Sequence, residues 1–168
     1  MTSNMWNLSL DDGALGNLKP PDEIVAIQCK HLEKITGQKI MAKISPYRFH
    51  DDYDTIDDRF EFEFFLTSSY TPNYKYSIMF INHSIEYYPL TIEVDSDIAK
   101  EIDINGMGSI YHHNLSKLIA EDEAEFISML SKILNSTKVK KVINSLYSMI
   151  KSHERKNDAY FGEEDLSF

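Results

Sequence analysis

The sequence has little cysteine and no long apolar segment. Its 168 residues include one cysteine, Cys29, so no disulfide can form within the chain. A single thiol is typical of a reducing compartment, which favours the cytoplasm. The apolar runs are far shorter than the roughly 20 residues that cross a bilayer, and the first residues lack the pattern of a secretory signal. We therefore expect a cytoplasmic location and no association with membranes.

Motifs for catalysis and for cofactor binding are also missing from the sequence. It contains no Gly-x-Ser-x-Gly segment that would form a nucleophile elbow. Gly106 and Gly108 form a lone Gly-x-Gly with no helix start after it, which makes a poor phosphate-binding loop. Cys29 lies in an apolar helical pattern, which indicates a buried structural thiol. The sequence therefore predicts no cofactor and favours a protein without catalytic activity.

Negative charge dominates the composition and is concentrated in one stretch. The chain has 27 acidic and 17 basic residues, a net charge of −10, which disfavours direct nucleic-acid binding. Residues 51–63 hold seven of the acids and one base, Arg59. The acids are Asp51, Asp52, Asp54, Asp57, Asp58, Glu61 and Glu63. The stretch is more typical of a solvated loop that leads into an exposed strand face; the alternative is a negative patch that steers a basic partner toward the protein.

Residues 59–94 have the pattern of antiparallel strands. Phe60, Phe62 and Phe64 alternate with two glutamates, so the rings share one face of a strand and the carboxylates share the other. After a turn, a second strand is predicted to place on one face Tyr74, Tyr76, Ile78 and Phe80. A third strand at 85–94 contains Pro89, which has no N–H to donate, so we expect it to be bulged or at an edge.

Helical patterns lie on both sides of these strands. The first begins with Asp22 as the expected N-cap and ends at Gly37. Two amphipathic helices after Asp122, joined at Asn135-Ser136, predict a helical hairpin. The predicted apolar face of the first consists of Phe126, Ile127, Leu130, Ile133 and Leu134. Between these helices and the strands, Asp95-Ser96-Asp97 is expected to cap a short helix, and a last strand could lie at 111–115 or at 117–120.

The predicted fold is therefore α+β, with an N-terminal helix, an antiparallel sheet of about four or five strands, and a C-terminal helical hairpin packed on one face of the sheet. We expect an N-terminal arm at 1–19, one domain at 20–152, and a polar, flexible tail at 153–168.

The function favoured by this profile is binding to another protein with a basic surface. A small acidic immunity protein or antitoxin that inhibits a basic effector has this size and charge. The candidate partner-binding residues are the seven acids of 51–63 with Tyr53, Tyr74 and Tyr76, because tyrosine offers large contact area at low entropic cost. The same rings also suit the rim of a hydrophobic core. A subunit of a larger assembly would have a similar sequence.

A metal-dependent hydrolase is the alternative hypothesis. Imidazole and carboxylate groups are compatible metal ligands, and the candidates for such a site are His50, Asp51, Asp52, His112 and His113. The two histidines at 112 and 113 are adjacent, so their rings diverge on a helix or on a strand, unlike the spacing of a zinc-protease pair.

Overall fold

The computed structural model describes residues 18–47, 59–102 and 114–161, with side chains described as far as Lys156. The elements are α1 (Pro21–Ile35), β1 (Met41–Pro46), β2 (Phe60–Ser68), β3 (Thr71–His83), β4 (Leu90–Asp95), α2 (Ser96–Glu101), β5 (Leu115–Ala120), α3 (Glu123–Leu134) and α4 (Thr137–Phe161). The strands form one antiparallel sheet in the order β1-β2-β3-β4-β5. The predicted α+β class, with a helix before the sheet and two after it, is confirmed.

The hydrophobic core lies between one face of the sheet and the helices. Leu66, Ile92 and Leu118 are buried on this face, and their neighbours along each strand are more exposed, as period-two geometry requires. The helices contribute Val25 and Phe126 to the same cluster. Each such side chain stabilises the fold by about 1.5–3 kcal/mol through removal from water. No helix in the described ranges is both long and apolar enough to cross a bilayer.

A β-bulge changes which residues of β3 share a face. The register passes from Phe64↔Met79 to Phe65↔Ser77, so Ile78 is the extra residue on β3. Ile78 and Met79 are consecutive and both buried. The prediction that Phe80 shares a face with Tyr76 and Ile78 is therefore wrong. Alternation fails there because the bulge shifts the side-chain pattern by one residue.

The expectation for Pro89 is also wrong. β4 begins at Leu90, one residue after Pro89. It pairs with β3 on one side and with β5 on the other, so it is an inner strand. Since Pro89 precedes the ladder, its missing N–H removes no bond between strands. The predicted short helix after Asp95 is confirmed, with the Asp95 carboxylate accepting from the Asp97 N–H.

The helix ends differ in places from their sequence-based predictions. α1 has Pro20 as its N-cap residue, with Asp22 inside the first turn, whereas Gly37 lies just past the C-terminus with φ +60° as expected. α4 continues to Phe161 and so passes the predicted domain boundary at 152. Residues 1–17 of the predicted arm at 1–19, and the last residues, 162–168, lie outside the described residues.

Candidate protein-interaction surface

One end of the sheet gathers the starts of β2 and β4 and the ends of β3 and β5. The register shows this directly, because Phe60 pairs with His83 and Leu90 with Ala120. α1 also begins here, since the Lys19 backbone N–H donates to Glu123 Oε2 at 2.9 Å. We call this the acidic end. It comprises residues 19–23, 59–61, 84–89 and 121–125.

The acidic end has far more acids than bases. Its acids are Asp22, Glu23, Glu61, Glu86, Glu121, Asp122, Glu123 and Glu125, and its bases are Lys19 and Arg59. Two bases cannot neutralise eight carboxylates, so this region carries net negative charge. Asp122 and Glu125 also cap α3, because Asp122 Oδ1 accepts from the Glu125 N–H and Glu125 Oε2 accepts from the Glu121 N–H, both at 2.8 Å.

The aspartate-rich segment is attached to this same end. Residues 48–58 join Tyr47 to Arg59, and the Tyr47 N–H donates to the Glu61 carbonyl at 2.9 Å. The segment adds five aspartates and one arginine to the sequence here. The predicted site residues within it, His50, Asp51, Asp52, Tyr53, Asp54, Asp57 and Asp58, lie outside the described residues, as do His112 and His113.

Glu61 and Glu63 have different environments although both project from β2. Glu61 is half-buried and accepts from Asn82 Nδ2 at 2.6 Å. Glu63 is 4% exposed; it accepts from Lys75 Nζ at 2.5 Å and from the Ser77 hydroxyl. The expectation of an exposed strand face is therefore wrong at Glu63. β2 lies between β1 and β3, so cross-strand side chains cover this carboxylate.

Tyr74 and Tyr76 lie toward the opposite end of the sheet. Tyr74 is exposed, whereas Tyr76 is half-buried beside the core and pairs with Leu66 across the strands. Burial is the main cause that raises the pKa of Tyr76. The structure therefore does not bring these two predicted partner-binding tyrosines to the acidic end.

That opposite end, which we call the hairpin end, contains the end of α1, the start of β1, the β2–β3 turn, the end of β4 and the parts of α4 that contact them. Three acids at this end contact lysines: Lys39 contacts Glu154, and Lys138 Nζ lies 2.5 Å from Asp95 Oδ2 and 3.5 Å from Asp97 Oδ2. Burial of Asp95 opposes ionisation, but hydrogen bonds from Lys138 and the Asp97 N–H outweigh it and lower the pKa of Asp95.

A pocket of about 460 Å³ opens at the acidic end. Its lining consists of Pro20, Asp22, Glu23, Phe60, Phe62, His83, Ile85 and Tyr87. The His83 ring contacts the other aromatic rings of this lining. Its centroid lies 5.3 Å from that of Phe60, 5.4 Å from that of Phe62 and 5.8 Å from that of Tyr87. The alternation of Phe60 and Phe62 was visible in the sequence, but the start of α1 beside them was not, because that contact is made only by the folded chain.

The described residues offer little support for metal or thiol chemistry. Within 18–47, 59–102 and 114–156, no group of three or more His, Cys, Asp or Glu side chains could hold a metal ion. Cys29 is buried as predicted, and burial together with the charge of Glu33 raises its pKa to about 11. The thiol is therefore protonated at neutral pH, which suits a structural role.

Comparison of the chain with protein-family models, with curated proteins and with solved structures finds no match.

Proposed function

We propose that this protein is a non-enzymatic interaction module that binds another protein through its acidic end. The observation that carries the proposal is the gathering of eight carboxylates and two bases from four separate segments of the chain at one end of the sheet. Segments so distant in sequence meet only through the fold, and together they form a continuous source of negative potential. Such a surface favours a partner with a basic surface.

The class of partner follows from the charge of this surface. Clustered carboxylates accelerate the approach of a basic protein and repel phosphate backbones, so direct nucleic-acid binding is disfavoured. A small acidic inhibitor that covers the basic surface of an effector, such as an immunity protein or an antitoxin, uses this type of attraction. The one cysteine, buried and unpaired, fits a cytoplasmic location.

The five aspartates of 48–58 extend this charge in the sequence. Tyr47 and Arg59 are the residues on either side of this segment; Arg59 belongs to the acidic end, and the Tyr47 N–H donates to the Glu61 carbonyl. We therefore include Asp51, Asp52, Asp54, Asp57 and Asp58 in the proposed surface, together with Glu61. Glu63 is left out, because its carboxylate is already bound within the sheet.

Affinity capture of the tagged protein from its native cells tests this proposal. One stoichiometric basic protein should be retained at low salt and lost at high salt. Replacing the five aspartates of 48–58 with asparagine should reduce the rate of association with this partner by tenfold or more at low salt. Electrostatic steering changes association rates by factors of this size.

The control for this experiment removes charge away from the acidic end. The double variant Glu33→Gln, Asp97→Asn neutralises acids on α1 and α2 and should retain the partner normally. If the five-asparagine variant captured the same partner at the same rate, with the same salt dependence, residues 48–58 would not belong to the binding surface. The same result for the triple variant Glu23→Gln, Glu86→Gln, Glu121→Gln would show that the acidic end does not bind the partner.

The hydrolase hypothesis rests on residues outside the described ranges. Metal analysis of untagged protein, purified without a chelator, tests it separately. Stoichiometric metal would favour a site that includes His50, Asp51, Asp52, His112 or His113. If no metal were bound, and if Mn²⁺ or Zn²⁺ caused no thermal shift, the hydrolase hypothesis would be excluded.

A further inference from the structure

His83 carries a hydrogen-bond acceptor that the described residues leave unused. Its side chain is 3% exposed, and Nδ1 lies 2.6 Å from the Ser84 carbonyl oxygen. A carbonyl oxygen can only accept, so Nδ1 bears the hydrogen and Nε2 of the neutral ring is the acceptor. Nε2 is buried and has no hydrogen-bond partner in the part of the chain that the structure describes. A buried polar atom without a partner is uncommon in folded proteins and points to a missing donor.

The walls of the pocket around His83 are aromatic. Phe60 and His83 stack with an angle of 22° between their planes, and Tyr87 meets His83 edge to face. The Phe60 ring is 44% exposed at the mouth of the pocket. Aromatic faces carry negative electrostatic potential and attract cations, and the flat guanidinium group of arginine also stacks on them.

Two carboxylates complete the lining. Asp22 and Glu23 belong to the first turn of α1 and line the same pocket. The positive end of the helix dipole, equivalent to about half a charge, opposes a cation here. Its effect is reduced because Pro20 and Pro21, at the start of the helix, have no N–H groups to contribute. Two full negative charges therefore outweigh it, and the pocket favours a positively charged group.

We propose that this pocket binds the guanidinium group of an arginine on the protein partner. The inference rests on the proposed function and names the chemical group that the acidic end recognises. A guanidinium group supplies several N–H donors in one plane. It can therefore stack on Phe60, donate to His83 Nε2 and contact the carboxylate of Asp22 or Glu23 at the same time. A lysine ammonium lacks the flat surface for stacking. Because Nε2 is shielded from solvent, the side chains around it must move to admit the donor.

Nuclear magnetic resonance titration of the full chain tests the pocket without knowledge of the partner. The probe is Nα-acetyl-L-arginine amide, and the matched control is Nα-acetyl-L-citrulline amide, which has nearly the same shape but no charge. The arginine compound should shift the signals of Glu23, Phe60, His83 and Tyr87. It should bind about tenfold more tightly than the citrulline compound, a typical gain for a charged hydrogen-bonding group. Equal binding of the two, or no shift at these residues, would overturn the inference.

Two variants assign the interaction to individual groups. His83→Phe keeps an aromatic ring and removes the acceptor, and Glu23→Gln removes an exposed charge from the pocket wall; each should weaken arginine binding about threefold to tenfold. Glu33→Gln removes the same charge at the other end of α1, away from the pocket and from the acidic end, and should leave binding unchanged. If His83→Phe does not fold, Phe60→Ala, at an exposed ring, provides the test and should also weaken binding.

The two proposals fail in different ways. If the arginine compound does not bind while cellular capture remains salt-sensitive, the pocket inference is wrong and the proposed function stands. If the arginine compound binds as described but no basic protein is captured, the pocket inference is supported and the proposed function is wrong.

Discussion

The two ends of the sheet use the same charged residue types for different purposes. At the hairpin end, Asp95 and Glu154 each contact a lysine from a distant part of the sequence, and these pairs tie α4 to the sheet and to the start of β1. At the acidic end, eight carboxylates share two bases. Paired charge stabilises the fold, whereas unbalanced charge of one sign repels itself and is useful mainly for attracting something else.

Two buried hydroxyl groups also link separate elements at the hairpin end. At the hairpin end, Thr36 Oγ1 lies 2.9 Å from the Leu32 carbonyl and 3.1 Å from the Ile40 carbonyl, and it accepts from the Ile40 N–H. Ser68 Oγ donates to the Lys39 carbonyl at 2.9 Å. These bonds join the end of α1, the start of β1 and the β2–β3 turn. Among the described residues, a buried polar atom without a hydrogen bond occurs at both ends, as His83 Nε2 at the acidic end and as the Thr71 hydroxyl at the hairpin end.

The largest effect on stability is expected from Thr36→Val. Valine has nearly the same shape, but it leaves the buried Ile40 N–H without its side-chain acceptor. We expect the free energy of unfolding to fall by about 2 kcal/mol, within the range for an unsatisfied buried group. Urea denaturation followed by circular dichroism measures the change.

Thr71→Val is the matched control for this prediction. The Thr71 hydroxyl is buried and, within the described residues, has no hydrogen-bond partner. Its removal should therefore be neutral or slightly stabilising. Equal losses in the two variants would show that the Thr36 hydrogen bonds do not secure the hairpin end.

A smaller effect is expected from Lys138→Met. The substitution removes the contacts with Asp95 and Asp97 but keeps an aliphatic chain, and Lys138 is 37% exposed, so we expect a loss of about 1 kcal/mol at pH 7. The folded-state pKa of Asp95 lies below its ordinary value of 3.8. Its stabilising effect is therefore present above pH 4 and disappears as the pH falls through the folded-state pKa. The difference between variant and parent should shrink over the same range.

Lys140→Met is the control, since Lys140 is exposed on the same helix. It should change the free energy of unfolding by less than about 0.5 kcal/mol, both at pH 7 and at about pH 2.5. A difference between Lys138→Met and the parent that stayed constant down to pH 2.5 would assign the loss to packing and not to the ion pair.

The smallest effect on stability is expected at the acidic end. The triple variant Glu23→Gln, Glu86→Gln, Glu121→Gln removes exposed charges from three segments. Because these charges repel one another, the variant should be unchanged or more stable, by at most about 0.5 kcal/mol. Urea denaturation at low and high salt measures this, and the gain should vanish at high salt. A loss of more than 1 kcal/mol at low salt would mean that the acidic end is a stabilising network, and the comparison of the two ends would fail.

The elements themselves were largely predictable from local patterns. Alternation in 60–64 placed three phenylalanines on one face of a strand, and the short helix after Asp95 followed from its cap. The helical periodicity after Asp122 placed Phe126, Leu130 and Ile133 in the core, but it also predicted burial of Ile127, which is 46% exposed. A helix turns 100° per residue, so a residue at the border of the apolar stripe is buried only if the neighbouring element reaches it.

The candidate site was less predictable than the fold. The sequence identified the concentration of acid at 51–63, but it treated Glu61 and Glu63 alike. Their difference depends on Lys75 and Ser77 lying across β2, which is a matter of register. The pocket around His83 was not predicted, since α1, β2 and the β3–β4 loop meet there from three distant parts of the chain.

The sequence by itself determined the net charge, the single thiol, and the helices and strands, because these follow from composition and from the period of apolar residues. Only the tertiary structure decided where charge is balanced and where it is not. Strand order and register bring lysines to the acids at the hairpin end and bring carboxylates from four segments together at the acidic end. Electrostatic interaction depends on distance in space, and distance along the chain does not specify it.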